Sequence, residues 1–315
     1  MIIFGLFFTI DNSKNITQVK TVALIRLSEV DYETFAGFKT KMQSYGWNEN
    51  INIRYIDTGA AKTVAALPSI VSKVISKKPD LILVASTPAT QEVKRQTVGS
   101  SIPIVFCPVN DPVASNIVLN PNAPEGHITG IRLPMANEKR FEWLYKIAPN
   151  IKNVLVPYTP YDDSANISTI SLKKIIQDLN LNINIIEVAF PPSMTFNQFI
   201  KKVPKNIDAI FVPTDSSMAA QIKNFTNYAI EHKIPLSGAN YKLAKEGALY
   251  VFGFMLPELG KKAARMVDRI LRGVKPADLP VKYGNSYLIL NEKTAKSIGI
   301  EFSPQTKINA KLIIE

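Results

Sequence analysis

The chain has one cysteine and two histidines in 315 residues. A single cysteine excludes an internal disulfide, and Cys/His zinc sites lack their ligands. Cys107 lies in the apolar run "SIPIVFCPV" and reads as a buried strand thiol. A cysteine nucleophile needs a base, but His127 follows a Pro/Gly-rich turn and His232 ends a helix-like stretch, so neither forms a catalytic pair. The P-loop, G-x-G-x-x-G after the first strand, G-x-S-x-G and H-E-x-x-H are all absent. The acidic pair Asp162-Asp163 in "YTPYDDSAN" precedes a helix and reads as cap and loop rather than acid/base machinery. Long apolar runs are missing too. The N-terminal "MIIFGLFFTI" is about ten residues, too short to span a bilayer. It matches the apolar core of an export signal in length but lacks a basic stretch before it, a small-x-small site after it and a lipid-attachment cysteine. Residues 1–18 are therefore read as an incomplete or atypical export signal, the alternative being an apolar segment packed on the domain.

Basic residues outnumber acidic ones, 37 to 26. The net charge is +11 and the isoelectric point about 9.5. Yet the lysines are scattered over polar faces of candidate helices, as at Lys39, Lys41, Lys73, Lys77, Lys173 and Lys174. No basic run and no aromatic RNA-binding signature accompanies them, so no nucleic-acid partner is expected. Apolar residues make up 46% and charged residues 20%, a globular composition, and the length suits two domains.

Apolar periodicity gives an alternating series. "VKTVALIRL" (19–27) reads as a buried strand, then Phe35, Phe38, Met42 and Tyr45 mark a helix closed by Gly46. Strands at 51–57, 80–85 and 102–109 alternate with helices at about 64–75 and up to about 98. The stretch 110–131 reads as a loop with short elements. The pattern then restarts: helix "EKRFEWLYKIAP", strand 151–158, helix 168–179, strand 181–190, a short helix near 196–203, strand 208–213, helix 216–231 and strand 234–240. Strands alternating with helices predict an α/β fold with doubly wound parallel sheets, and the restart predicts two of them. Matched anchors (Val19-Lys20 with Ile151-Lys152, Ile51-Asn52 with Leu181-Asn182, Asp80 with Asp208, Ile102-Pro103 with Ile234-Pro235) recur at an offset of about 130 residues, which indicates a duplicated lobe.

The repeat contains one device twice, "DLILVASTPATQ" and "DAIFVPTDSSMAAQ". Each runs from an acid through a short strand into a hydroxyl-rich turn and a helix start. Ligands of open parallel sheets bind beyond the strand C-termini, where helix N–H groups are unpaired. Ser86, Thr87, Thr214, Asp215 and Ser216 fall there. Each taken singly reads equally as an N-cap. Two lobes facing each other would bring both sets to one cleft.

From about Val19 to about Pro304 the sequence resembles the ABC-transporter substrate-binding proteins of the tryptophan/tyrosine type. The stretches that carry this are "DLILVASTPATQ", "SIPIVFCPVNDPVAS", "PEGHITGI", "DAIFVPTDSSM" and "LPELGKKAARMVDRILRGVKPADLPV". The resemblance implies the type I periplasmic-binding-protein fold, two lobes joined by a hinge. Lobe 1 is then expected at 19–133 plus 248–276 and lobe 2 at 134–247 plus 277–315. It implies an extracytoplasmic protein that captures a small ligand, an amino acid with an aromatic or branched side chain, and hands it to an ABC permease with its ATPase. It further implies a monomer without cofactor or catalysis. The alternatives are a sensor of the same fold that signals to a membrane partner and, less favoured, a two-domain α/β enzyme. The chain departs from the family's pattern at "RLSEVDY", at Ser115-Asn116-Ile117 and at Phe254-Met255, all on or near the expected cleft.

For an amino acid, Ser86 and Thr87 at the helix start would receive the carboxylate. Asp215 would hold the ammonium, with Asp111 as a second candidate that also suits a turn before Pro112. Asn240 and Tyr241 would add an amide and an aromatic wall, and Tyr158 and Tyr161 would stack on the side chain. Ser28 and Glu29 end the first strand, with Glu29 either lining the cleft or facing solvent.

Overall fold

The computed structural model describes residues 18–134, 136–160, 163–191, 193–214 and 216–315, with the backbone alone for 163–167 and 216. Residues 1–17 of the expected export segment therefore lie outside the described residues, as do Tyr161, Asp162 and Asp215.

The first half of the repeat runs β1 (Lys20–Arg26), α1 (Tyr32–Ser44), β2 (Ile53–Ala60), α2 (Leu67–Ile75), β3 (Leu81–Ala85), α3 (Thr87–Gln96), β4 (Ile104–Val109) and β5 (Ile128–Arg132). The second runs α4 (Asn137–Ile147), β6 (Asn153–Tyr158), α5 (Asp163–Asp178), β7 (Asn184–Ala189), α6 (Phe196–Ile200), β8 (Ala209–Phe211), α7 (Ser216–Ala220), α8 (Ile222–Glu231), β9 (Leu236–Asn240), α9 (Tyr241–Lys245) and β10 (Tyr250–Phe254). There follow α10 (Leu256–Leu271), β11 (Lys282–Tyr283), β12 (Tyr287–Asn291), α11 (Glu292–Ile298), α12 (Pro304–Ile308) and β13 (Ala310–Ile314).

Two sheets result, ordered β11-β5-β4-β3-β1-β2 and β13-β12-β10-β9-β8-β6-β7. The order 2-1-3-4-5 recurs as 7-6-8-9-10, as the duplicated anchors lead one to expect. Pairing is parallel throughout except for β12 against β10. The acids that open the repeated device do the same work in both lobes. Asp80 Oδ2 accepts from Thr21 N at 2.8 Å, and Asp208 Oδ2 accepts from Lys152 N and Asn153 N at 2.9 Å. Each carboxylate thus ties a central strand to the start of the strand beside it.

The central strands of both sheets are buried on both faces. In β1, Val22 and Leu24 enter one core while Ala23 and Ile25 enter the other. In β6, Val154 and Val156 face one core and Leu155 the opposite one. This period-two division explains the continuous apolar runs, since neither face needs a polar residue.

The structure corrects the expected elements in four places. The presumed loop 110–131 ends in β5, a short strand fully buried between β4 and β11. The helix expected at 216–231 is divided into α7 and α8 at Gln221. Strand β10 pairs with β9 and β12 of the second sheet, although the expected boundary places 248–276 in the first lobe. Conversely β11 pairs with β5 of the first sheet, although 277–315 was expected in the second. The chain passes between the sheets after β5, after β10 and after β11. Helix α10, reached by the second passage, packs on α1, β4 and β5. Such passages are set by which edge is left unpaired, which a strand's own pattern does not encode.

Candidate functional site

Between the two sheets lies a cavity of about 320 Å³. Its walls come from the C-terminal ends of the strands, where a doubly wound sheet exposes loop starts and helix N-termini. The first lobe supplies Asn110 and Asp111 beyond β4, and Arg132 at the end of β5. The second supplies the first turn of α4, Ser168 and Ser171 of α5, Thr214 beyond β8 and Ala239 of β9. Phe252 and Phe254 of β10, at the passage between lobes, add apolar surface.

Two buried guanidinium groups reach this cavity, and they differ in what surrounds them. Arg132 Nη2 lies 3.5 Å from Asp111 Oδ2, its Nη1 donates to the Tyr283 hydroxyl at 3.3 Å, and its plane lies 4.7 Å from the Tyr283 ring centroid. Asp111 is itself held: its Oδ1 accepts from the N–H groups of Val113 and Ala114 at 3.0 and 3.1 Å. Asp111 thus forms the turn after β4 and also borders the cavity.

Arg140 is 1% exposed. Its Nη2 donates to Asn137 Oδ1 at 3.2 Å, and its Cζ sits 3.8 Å from the centre of the Phe211 ring. Among the described residues, no partner meets its Nε or Nη1. Burial pushes its pKa down from 12.5 to about 10, which leaves the group charged at neutral pH. The backbone of this turn is fixed by the Tyr250 hydroxyl, which donates to Arg140 O at 2.6 Å from a fully buried position. Tyr250→Phe is expected to cost about 1 kcal/mol in urea unfolding, because one buried hydrogen bond between β10 and α4 is lost while the carbonyl keeps its place in the helix. An unchanged midpoint would show that the bond is dispensable.

Of the residues expected from the sequence, Asp111 and Thr214 line the cavity. Thr214 N donates to Ser168 Oγ at 3.5 Å, which links the β8 turn to α5. Ser86 and Thr87 open α3 outside the cavity lining. Ser86 has a φ of +81°, a strained value for serine, and its Oγ is buried without a partner among the described residues. Thr87 Oγ1 accepts from Asn110 N at 3.5 Å. Ser28 donates through N and Oγ to Asp31 Oδ2, and Glu29 is exposed, 3.7 Å from Arg26. Asn240 caps α9 by accepting from Leu243 N at 3.3 Å, and Tyr241 packs on the neighbouring core beside Lys245. Tyr158 ends β6 half-buried.

Sequence reasoning missed Arg132, Asn137 and Arg140. A signal for Arg140 existed. Arg140, Trp143, Leu144 and Ile147 have the i, i+3, i+4, i+7 spacing of an apolar stripe, with a cation in the first place. A charge on a buried stripe marks a functional candidate.

Cys107 is buried in β4, and burial pushes its thiol far above the ordinary range. His127 Nε2 lies 3.3 Å from Thr97 Oγ1, and His232 stacks on Tyr228.

The family model for ABC transporter substrate-binding proteins matches residues 21–313. The chain belongs to this family. A tyrosine-binding protein from Clostridioides difficile (strain R20291) is 28% identical over 84% of this chain and 76% of that protein. Among solved structures, a ligand-free, open substrate-binding protein with adhesive properties from Clostridium difficile is 28% identical, with a TM-score of 0.76 over 94% of this chain and 99% of that one. A domain from Streptococcus pneumonia solved in complex with L-Trp is 20% identical, with a TM-score of 0.83 over 95% of this chain and all of that one. The fold is thus that of the two-lobed periplasmic binding proteins.

Proposed function

We propose that the protein is an extracytoplasmic receptor that captures an amino acid, aromatic or branched, in the interlobe cavity and delivers it to an ABC permease with its ATPase. The observation that carries this is the composition of the cavity. From one lobe comes the Asp111–Arg132 pair, from the other a buried guanidinium, Arg140, with no anionic partner among the described residues, and phenylalanines come from the passage between them; Asp215, next to the lining residue Thr214, is the proposed partner for an ammonium. A zwitterion with an apolar side chain matches that set. Two proteins similar to this chain, one tyrosine-binding and one solved in complex with L-Trp, favour the same class.

A ligand that touches both lobes stabilises their closed arrangement by its differential affinity for it. The other residues chosen from the sequence, Ser28, Glu29, Ser86, Thr87, Tyr158, Tyr161, Thr214, Asp215, Asn240 and Tyr241, remain proposals for the rim that meets the ligand on closure. Lobe boundaries at the three inter-sheet passages replace those expected from sequence as our proposal. We further propose a monomeric receptor that neither catalyses a reaction nor binds nucleic acid; the burial of Cys107 and the dispersed lysines support the last two points. Among the described residues, no helix is long and apolar enough to cross a membrane.

A thermal-shift screen against amino acids and other small metabolites tests the reading. A ligand at a hundred times its Kd adds about 2.7 kcal/mol, which raises the melting temperature by several degrees. If stabilisation were confined to sugars, or absent across the panel, the amino-acid reading would be lost.

A further inference from the structure

We propose that Arg140 and the bare first turn of α4 are the receptor for the ligand's carboxylate, in place of the Ser86–Thr87 turn expected from the sequence. This rests on the cleft reading above and deepens it.

Two independent features converge on one wall. The first is the guanidinium itself, 1% exposed, lining the cavity, with Nε and Nη1 lacking acceptors among the described residues. Its recorded neighbours, Asn137 Oδ1 and the Phe211 ring, are neutral. Burying a cation with neutral neighbours alone is costly, and a buried cation normally has an anion or a ligand to offset it. The second is the start of α4. The residue before it is Ala136, and no side chain caps the turn. Ala136, Asn137 and Glu138 all line the same cavity. The helix therefore presents unpaired N–H groups and partial positive charge to the space that Arg140 faces.

The helix dipole makes this a poor place for an arginine unless something negative sits opposite. Arg140 occupies the first turns of an eleven-residue helix, where a cation is disfavoured. Arg132 supplies the contrast: it reaches the same cavity and its Nε is also without a partner among the described residues, but it already has a carboxylate, Asp111, at 3.5 Å. Of the two guanidinium groups, Arg140 is the one left for the ligand. A carboxylate suits it better than a phosphate, because Asp111 and Glu138 also border the cavity and would repel a second negative charge.

The test uses the full chain and isothermal titration with L-tyrosine and L-tryptophan, each compared with its α-amide, which removes the negative charge and keeps the rest. The parent protein is expected to prefer the acid over the amide about a hundredfold, from the loss of a buried charge partner. Arg140→Gln should weaken the acid by a similar factor and erase the preference, and Arg140→Lys should restore part of it. The acid/amide comparison on the parent protein needs no variant to fold. The proposal is overturned if the parent does not distinguish acid from amide, or if Arg140→Gln weakens both equally, while the amino-acid reading survives either result.

Should neither amino acid bind, acetate, chloride and phosphate at equal ionic strength are compared by thermal shift. Stabilisation by acetate above the other two in the parent, lost in Arg140→Gln, supports the carboxylate receptor and removes only the amino-acid reading. Phosphate above acetate, an equal acetate effect in parent and variant, or no acetate effect removes the receptor.

Discussion

Asp215→Ala is expected to weaken amino-acid binding at least about a hundredfold, measured by isothermal titration. The ammonium of a captured zwitterion needs a carboxylate, and removing one partner of a buried charge pair costs about 3–5 kcal/mol, where about 1.4 is tenfold. Asp215 follows Thr214, which lines the cavity, and precedes α7. Its rival, Asp111, is already committed to two backbone N–H groups and to Arg132. Asp111→Asn should therefore cost less binding and more local order in the turn after β4. Thr87→Ala should do less than either, since a lone hydroxyl at a helix start is worth about 1 kcal/mol. If Asp215→Ala bound as tightly as the parent, the ammonium site would have to be sought elsewhere, with Asp111 next.

Gly260→Leu is expected to lower stability by about 3 kcal/mol or more in urea unfolding. Helices α1 and α10 cover the same face of the first sheet and meet backbone to backbone. A Cβ at Gly260 would lie 1.9 Å from Thr34 O and 2.8 Å from Phe38 N, and one at Gly37 would lie 2.2 Å from Pro257 O. These neighbours are main chain, so no rotamer change relieves the overlap and the helices must separate. One separation admits both side chains. Gly37→Ala with Gly260→Ala should therefore cost about 1 kcal/mol less than the two singles combined. Gly46→Ala is the contrasting case. It meets open space and bears only the penalty of its φ of +88°, about 1 kcal/mol. Strict additivity of the pair would mean that α10 does not move as one body.

The division between sequence and tertiary structure follows from range. Local pattern was enough for the βα alternation, because strands buried on both faces must be apolar throughout, as in "LILVA", and amphipathic helices must show their stripe, as in Phe35, Phe38 and Met42. The repeat was legible because Asp80 and Asp208 serve the same backbone bond in both lobes. Shared stretches along most of the chain sufficed for the family. Assignment of β10 and β11 to their sheets was not legible, because a strand's apolar pattern says that it is buried and nothing about which edge it joins.

The site shows the same limit. The turns after β3 and β8 could be marked as cleft positions from the strand-to-helix rule; Thr214 after β8 lines the cavity, as does Asp111 after β4, while Ser86 and Thr87 after β3 do not. The importance of Arg140 depends on contacts distant in the chain. Phe211 lies beneath it, Tyr250 holds its carbonyl, and its two open donors are defined by what fails to approach them among the described residues. Sequence by itself determined that two similar α/β lobes form, since burial and periodicity act within each segment. Only the tertiary structure decided which charges stand unpaired between them, because desolvation and charge pairing depend on neighbours that the chain brings together last.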